Sequence, residues 1–291
     1  MSIQVSRRAC FSFLLLSMGV RAFAQVKDAA PPGDWVCPMD PDYHADKPGV
    51  CPRCGMKLTL HVPDRVEYPL EVSQSPALLR PGQTATLTFR VKDPATNQTI
   101  KRFEIVHEKL MHLFLVSENL EFFAHQHPVL QDDGSFRLSV ALPYGGMYRM
   151  LADFYPSGSV PQLAIDTLFV SGTSEPVSIE PSLAPSKAKN LTASLRMDPE
   201  QPLAGLETKL FYTLDPIEGL ERYLGVWAHM LVASEDLIDL LHVHPFLKDK
   251  SSTIQFNVIF PRAGLYRIWT QFQRKGVVDT TVFTVPVKEL A

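Results

Sequence analysis

Beyond residue 64, apolar and polar positions alternate with a period of two along most of the chain. Ala85, Leu87, Phe89 and Val91 alternate with Thr84, Thr86, Thr88 and Arg90, and Phe136, Leu138, Val140 and Leu142 alternate with Arg137 and Ser139. Ile254, Phe256, Val258 and Phe260 repeat the pattern, and Met147–Phe154 and Leu265–Phe272 each alternate after a glycine turn. Period two between turn signals predicts half-buried strands, and several such strands at short spacing predict an antiparallel sandwich. Only SENLEFF and SEDLIDLL suggest a helical turn, with Ser117 and Ser234 as caps.

The strands fall into two related units. Met111 to Pro128 (MHLFLVSENLEFFAHQHP) aligns without a gap on Ala228 to Pro245 (AHMLVASEDLIDLLHVHP), with seven of 18 positions identical. Downstream, Pro143, Gly146, Tyr148 and Arg149 match Pro261, Gly264, Tyr266 and Arg267 after one inserted residue. Unit length fits the immunoglobulin-like class. The fold class expected is all-β: a small zinc-ribbon-like metal module followed by two tandem immunoglobulin-like β-sandwiches. The expected divisions are 1–24, 25–63, 64–172 and 177–291, with proline-bearing linkers at Pro31-Pro32 and between Gly172 and Ser186.

Residues 1–24 read as an export signal: Arg7 and Arg8, an apolar run from Ala9 to Val20, then Ala22-Phe23-Ala24 as the cleavage site. Ser6-Arg7-Arg8 with Phe11 and Leu14 fits a twin-arginine signal, and the same arginines fit an ordinary Sec signal. No later stretch is apolar enough to span a bilayer, so the expectation is a periplasmic or secreted protein without stable membrane insertion. Removing Arg7, Arg8 and Arg21 leaves 25 basic against 31 acidic residues, a net charge of −6. That balance excludes a nucleic-acid binder, which needs a basic face.

Three cysteines follow the export signal: Cys37, Cys51 and Cys54. An odd number leaves one thiol outside any disulfide framework. Cys51-Pro-Arg-Cys54-Gly has the form of a zinc knuckle, and Cys37-Pro-Met-Asp40 stands where the opposing knuckle belongs. A loop with so little apolar content can fold if a metal replaces the core. The fourth ligand is open between Asp40 and His44, and Met39 and Met56 flank the site as donors suited to Cu(I). A Cys51–Cys54 or Cys37–Cys51 disulfide without a metal is the competing reading. The stretch from Trp35 through Cys37-Pro38-Met39, Lys47-Pro48-Gly49 and Cys51-Pro52-Arg53-Cys54-Gly55-Met56 resembles the heavy-metal-binding domain of copper-transporting ATPases and of adaptor subunits of metal-efflux pumps. The resemblance implies a soft-metal site and a link to efflux. The family's usual histidine is Asp40 in this chain. The repeat itself, through HEKLMH, SENL and HxHP, looks like domains of uncharacterised secreted proteins that often carry this module.

Six of the nine histidines form a repeated set, H-x12-H-x-H-P: His112, His125 and His127, then His229, His242 and His244. In an extended strand, residues i and i+2 share a face and lie roughly 6.6–6.8 Å apart. Two imidazoles can then meet one ion at about 2.0–2.1 Å from each nitrogen. Three imidazoles with an open position suit zinc or copper, with His107, Met111 and Met230 as further donors. The same histidines could instead bond backbone carbonyls or contact a partner. Hydrolase, phosphate-cradle and H-E-x-x-H patterns are absent from the sequence. Asp153 and Asp166 read as carboxylates on solvated strand faces. The expectation is a non-enzymatic binder of copper or zinc for capture, buffering or delivery, with a metal-efflux component as partner. The alternative is an interaction module with a structural zinc clip. A metalloenzyme at an open three-histidine site is a third reading.

Overall fold

The computed structural model describes residues 35–38, 40, 43–60, 66–175, 178–246 and 253–290. The export signal, Met39 and His61 lie outside them. Among the described residues none is helical, and none forms a helix long and apolar enough to cross a membrane.

The cysteine module carries a two-residue hairpin, β1 (Trp35–Val36) and β2 (His44–Ala45). The first repeat holds β3 (Leu70–Ser75), β4 (Thr84–Val91), β5 (Met111–Ser117), β6 (Phe123–Gln126), β7 (Val129–Leu130), β8 (Phe136–Ala141), β9 (Gly146–Phe154) and β10 (Gln162–Val170). The second holds β11 (Ser186–Lys187), β12 (Thr192–Asp198), β13 (Glu207–Asp215), β14 (Leu220–Glu221), β15 (His229–Ser234), β16 (Leu240–Val243), β17 (Thr253–Ile259), β18 (Gly264–Arg274) and β19 (Val277–Val287).

Each repeat is a two-sheet sandwich. In the first, β3-β4-β8-β7 faces β10-β9-β5-β6; in the second, β11-β12-β13-β17 faces the sheet of β14, β18, β15, β16 and β19. Every strand pair is antiparallel. The strand order of the first repeat is that of an immunoglobulin-like domain. The inward residues of the alternating strands, Leu87, Phe89 and Phe136 in one repeat and Leu210, Tyr212 and Phe256 in the other, form separate cores.

A buried tyrosine marks the same corner in both units. The Tyr148 hydroxyl accepts from the Tyr144 N–H at 2.8 Å and donates to the Tyr144 carbonyl at 3.0 Å. The Tyr266 hydroxyl makes the same pair with Arg262, at 3.2 and 3.1 Å. This is the tyrosine corner of immunoglobulin-like sandwiches.

SENL and SEDL are tight turns rather than helical ones. Ser117 ends β5, and its hydroxyl accepts from the Phe122 N–H at 2.9 Å and binds the Asn119 side chain. Leu120 then takes a positive φ of 59°, and Leu237 one of 55° in the equivalent turn. The Ser117 N–H donates to the Phe122 carbonyl, and the Ser234 N–H to the Asp239 carbonyl, so each serine closes a hairpin instead of capping a helix.

Strands β5 and β15 are buried on both faces. Met111, Leu113 and Leu115 enter the first core, while Phe114 and Val116 join Leu231, Ala233 and Trp269 of the second repeat in a third apolar cluster. The sheets containing β5 and β15 therefore pack against each other. Phe123 stacks on Trp269 across this interface, with ring centroids 5.3 Å apart. Fully burying such side chains stabilises by about 1.5–3 kcal/mol each. Met111 and Met230 lie wholly in the sandwich cores, on the face opposite the neighbouring histidines.

The Tyr148→Phe variant should lose about 0.5–1.5 kcal/mol of stability, because the part-buried hydrogen bonds of its hydroxyl to Tyr144 are lost. Urea unfolding followed by tryptophan fluorescence measures it, and an unchanged midpoint would show that the corner is dispensable.

Candidate metal centres

The first centre is local in sequence. Cys37 follows β1, and Cys51 and Cys54 sit in the knuckle that follows β2. The Gly55 N–H donates to the Cys51 carbonyl and the Cys51 N–H to the Met56 carbonyl, both at 2.8 Å. Gly55 closes the turn at φ 79°, a conformation costly for other residues. The three sulphurs lie within 4.8 Å of one another, with Cys37 Sγ and Cys54 Sγ 3.4 Å apart. All three cysteines are buried and outside any disulfide, and that separation is far longer than a disulfide bond. The neighbouring Cys37 thiol and burial raise Cys54, while burial chiefly raises Cys51. A soft or borderline cation suits such a donor set, since it supplies the positive charge that three packed thiolates require.

Asp40 and His44 stand beside this trio. The Asp40 carboxylate accepts from Arg53 at 3.1 Å, and Arg53 lies within the knuckle. His44 is exposed on β2. Neither belongs to the group whose donor atoms converge.

The second centre draws on both repeats. His112 on β5 and His125 on β6 face the interface, and so do His229 on β15 and His242 on β16. His127 and His244 follow one step beyond their strands, on the same faces. Ring centroids of His112, His125 and His127 are 4.6–5.2 Å apart, and those of His229, His242 and His244 are 4.2–5.8 Å apart. The sequence suggested two separate three-histidine sites. The packing of β5 against β15 merges them: the donor atoms of His229 converge with those of His242 and His244 and also with those of His112 and His125, while His127 belongs to neither converging group. His107, which the sequence offered as a further donor to its own repeat's set, lies instead 4.0 Å from His244 of the other.

Hydrogen bonds fix which nitrogens are free. His112 Nε2 donates to the Val106 carbonyl at 3.0 Å, so its lone pair is on Nδ1. His125 Nδ1 faces Gln271 Oε1 at 2.9 Å and donates to it, which leaves the lone pair on Nε2. Those two lone pairs face each other at 3.0 Å. The second repeat repeats the scheme. His229 Nε2 donates to the Tyr223 carbonyl at 3.2 Å, and His242 Nδ1 donates to Asp153 at 2.7 Å. His229 Nδ1 and His242 Nε2 are then opposed at 3.5 Å. Nε2 of His107, His127 and His244 is buried without a hydrogen-bond partner. Opposed lone pairs and unpartnered buried nitrogens are what a cation would satisfy.

Burial first, and neighbouring charged groups second, hold His107, His112, His125, His127, His229 and His244 neutral. They lower His107 and His127 to about 3 and His112 to about 4, and push His125, His229 and His244 well below the usual histidine range. Neutral imidazole is the form that ligates metal.

Asp153 is no solvated carboxylate: it is 2% exposed and reaches across from β9 to the opposite repeat. Gln271 on β18 does the reverse. Asp153 pairs with His112 in its sheet and Gln271 with His229, so the two occupy equivalent places. Alternation across β9 and β18 places both on the interface face, but only the fold shows that this face is covered.

The cysteine module lies close to this cluster. Cys54 and Arg53 share a cleft of about 390 Å³ with His242 and His244. A second cleft brings Met56 and Lys57 to Val106 and His107.

A model for a domain of unknown function, DUF8832, matches residues 64–169 and 179–289. The chain belongs to the DUF8832 family. A heavy metal binding domain matches residues 35–62, so the chain joins a metal module to two DUF8832 units. Among solved structures, the Escherichia coli adhesin FdeC aligns at 14% identity and a TM-score of 0.28, covering 80% of this chain and 68% of that one. The Yersinia pseudotuberculosis adhesin InvE aligns at 11% and 0.26, covering 76% and 61%. Fibronectin(III)-like modules of Clostridium thermocellum CbhA align at 10% and 0.21, covering 76% and 95%. None of these alignments bears on function. No curated protein matches the chain.

The Gly55→Ala variant should weaken metal affinity of the cysteine module about tenfold, since a side chain in the left-handed region costs about 1–2 kcal/mol. Competition titration with a chromophoric chelator under reducing conditions measures it; unaltered affinity would show that the turn is not needed.

Proposed function

We propose that this is an exported, non-enzymatic metal-binding protein that captures copper or zinc and buffers or delivers it. The observation that carries the reading is the convergence of the buried Cys37, Cys51 and Cys54 within a heavy metal binding domain. Three thiolates select soft and borderline cations over magnesium or calcium. Met56, packed against the trio, favours Cu(I), while the thiolate set alone suits zinc equally. The histidine cluster supplies a second, nitrogen-rich store beside it. The cleft shared by Cys54, His242 and His244 supports passage between the two.

The signal-like pattern of residues 1–24 supports export to a periplasm or to the medium. Delivery to a metal-efflux component follows from the module's resemblance to domains of copper ATPases and efflux adaptors. The sequence lacks the nucleophile, phosphate-cradle and zinc-protease patterns of common hydrolases, which supports binding rather than turnover.

Titration with Cu(I) and Zn(II) under reducing conditions tests the reading. The full chain should bind one ion tightly at the module, and the Cys51→Ser, Cys54→Ser double variant should lose that equivalent while both sandwiches stay folded by circular dichroism. Full stoichiometry and affinity in the double variant would overturn it. Elemental analysis of protein purified from its native compartment then identifies the metal.

A further inference from the structure

Seven imidazoles are too many for one ion. Transition metals in proteins take four nitrogen or sulphur ligands in closed sites, and three with one open position elsewhere. The donors are also contiguous across the repeats. His229 lies within 4.8 Å of His112 and His125 on one side, and of His242 and His244 on the other. Two independent sites cannot share an imidazole whose other nitrogen is already bound to the Tyr223 carbonyl.

We propose that the seven histidines form one dinuclear centre across the repeat interface, with a tighter half around His242 and a weaker, open half around His125. The proposal rests on the metal-binding reading above. The division of ligands follows from His107. Although it belongs to the first repeat, its ring is 4.0 Å from His244 and 5.5 Å from His229, but 6.4 Å from His112. His107 therefore completes a set of four with His229, His242 and His244. His112, His125 and His127 remain as a set of three. The place equivalent to His107 is held by Leu224, which shares its left-handed backbone, at φ 52° against 47°. The second repeat thus returns no seventh-histidine counterpart to the first.

The groups behind the ligands reinforce the inequality. Asp153 accepts from His242 Nδ1–H at 2.7 Å, and Gln271 accepts from His125 Nδ1–H at 2.9 Å. Each reaches over from the opposite repeat, and they hold equivalent ladder positions. One is a carboxylate, the other an amide. A carboxylate behind a ligating histidine makes the metal-facing nitrogen a stronger donor, and loss of such a partner costs about 10–100-fold in affinity. The half with four ligands and the carboxylate fills first.

The test uses the full exported chain with Cys37→Ser, Cys51→Ser and Cys54→Ser, so that imidazoles alone titrate. Cu(II) is added and followed by native mass spectrometry and electron paramagnetic resonance. Two ions per chain are expected. The first should give an uncoupled spectrum. The second should bind at least about tenfold more weakly, in keeping with the carboxylate effect, and convert the spectrum to a dipole-coupled one with a half-field signal. Adding Asp153→Asn, which is nearly isosteric, should weaken the first ion about 10–100-fold and leave the second. Adding Gln271→Glu should tighten the second ion instead. Circular dichroism checks that each variant is folded. One ion per chain, two uncoupled ions, or both variants shifting both ions alike would overturn the proposal. Zn(II) titration of the chain with its cysteines separates the two claims. If that chain binds at the cysteines while the serine chain binds nothing, the dinuclear centre falls and the metal-binding reading stands. If neither binds, both fall.

Discussion

The burial of β5 and β15 on both faces is the constraint from which the rest of the molecule follows. A strand in a free immunoglobulin-like sandwich covers a core with one face and meets water with the other, and its sequence alternates accordingly. MHLFLVS and HMLVAS do not alternate. Their second faces must be removed from water, and the two repeats remove them from each other. Phe114, Val116, Leu231 and Trp269 close this interface at one end. At the other end, the same packing brings seven imidazoles together, two of which, His125 and His242, bond groups from the opposite repeat.

Such an interior is expensive unless its polar atoms are matched. A buried nitrogen without a partner costs about 1–3 kcal/mol. The backbone answers part of this: carbonyls of Val106 and Tyr223 take one N–H each, through loops of the same shape in both repeats. Asp153 and Gln271 take two more. The matching stops there, with two pairs of lone pairs opposed and three nitrogens unpartnered. A histidine set that served only to bridge carbonyls would be satisfied by them. Here the opposed ring nitrogens and the unpartnered ones lie in one cluster, the arrangement that satisfies a cation and leaves an interior poorly matched without one.

The fold was largely legible in the sequence, because period two reports one buried face whatever covers it. Strands β4, β8, β9, β17 and β18 fall where alternation places them. The cysteine knuckle was legible for another reason: its ligands are neighbours along the chain and its glycine is required by backbone geometry. What the sequence reported poorly was contact between repeats. The H-x12-H-x-H spacing shows that each set shares a face of its own sheet, and nothing within one repeat says which surface lies opposite. Asp153 was misjudged on that ground: it looks solvated within its own repeat and gains a role only from the other. His107 was read as a donor to its own repeat's set and lies nearest the other repeat's His244. The unbroken apolar run in both copies of β5 was the available signal that the outer face is covered.

Duplication explains how such a centre can be both repeated and uneven. Two copies of one sandwich, packed through the same strand, bring each histidine set opposite its duplicate. A substitution in one copy then acts on the other copy's ligands, because the orienting groups cross the interface. A carboxylate at one of two equivalent positions and an amide at the other changes the charge behind a single ligand. A histidine in place of leucine at another pair adds a donor to the opposite set. These exchanges leave the sandwich cores alone, since β9 and β18 turn Asp153 and Gln271 away from them. Donor number and donor strength in the two halves can therefore diverge while strand order, registers and tyrosine corners stay alike. The fold of each unit is set by one face of the β5-type sheet, and the chemistry of the pair by the other.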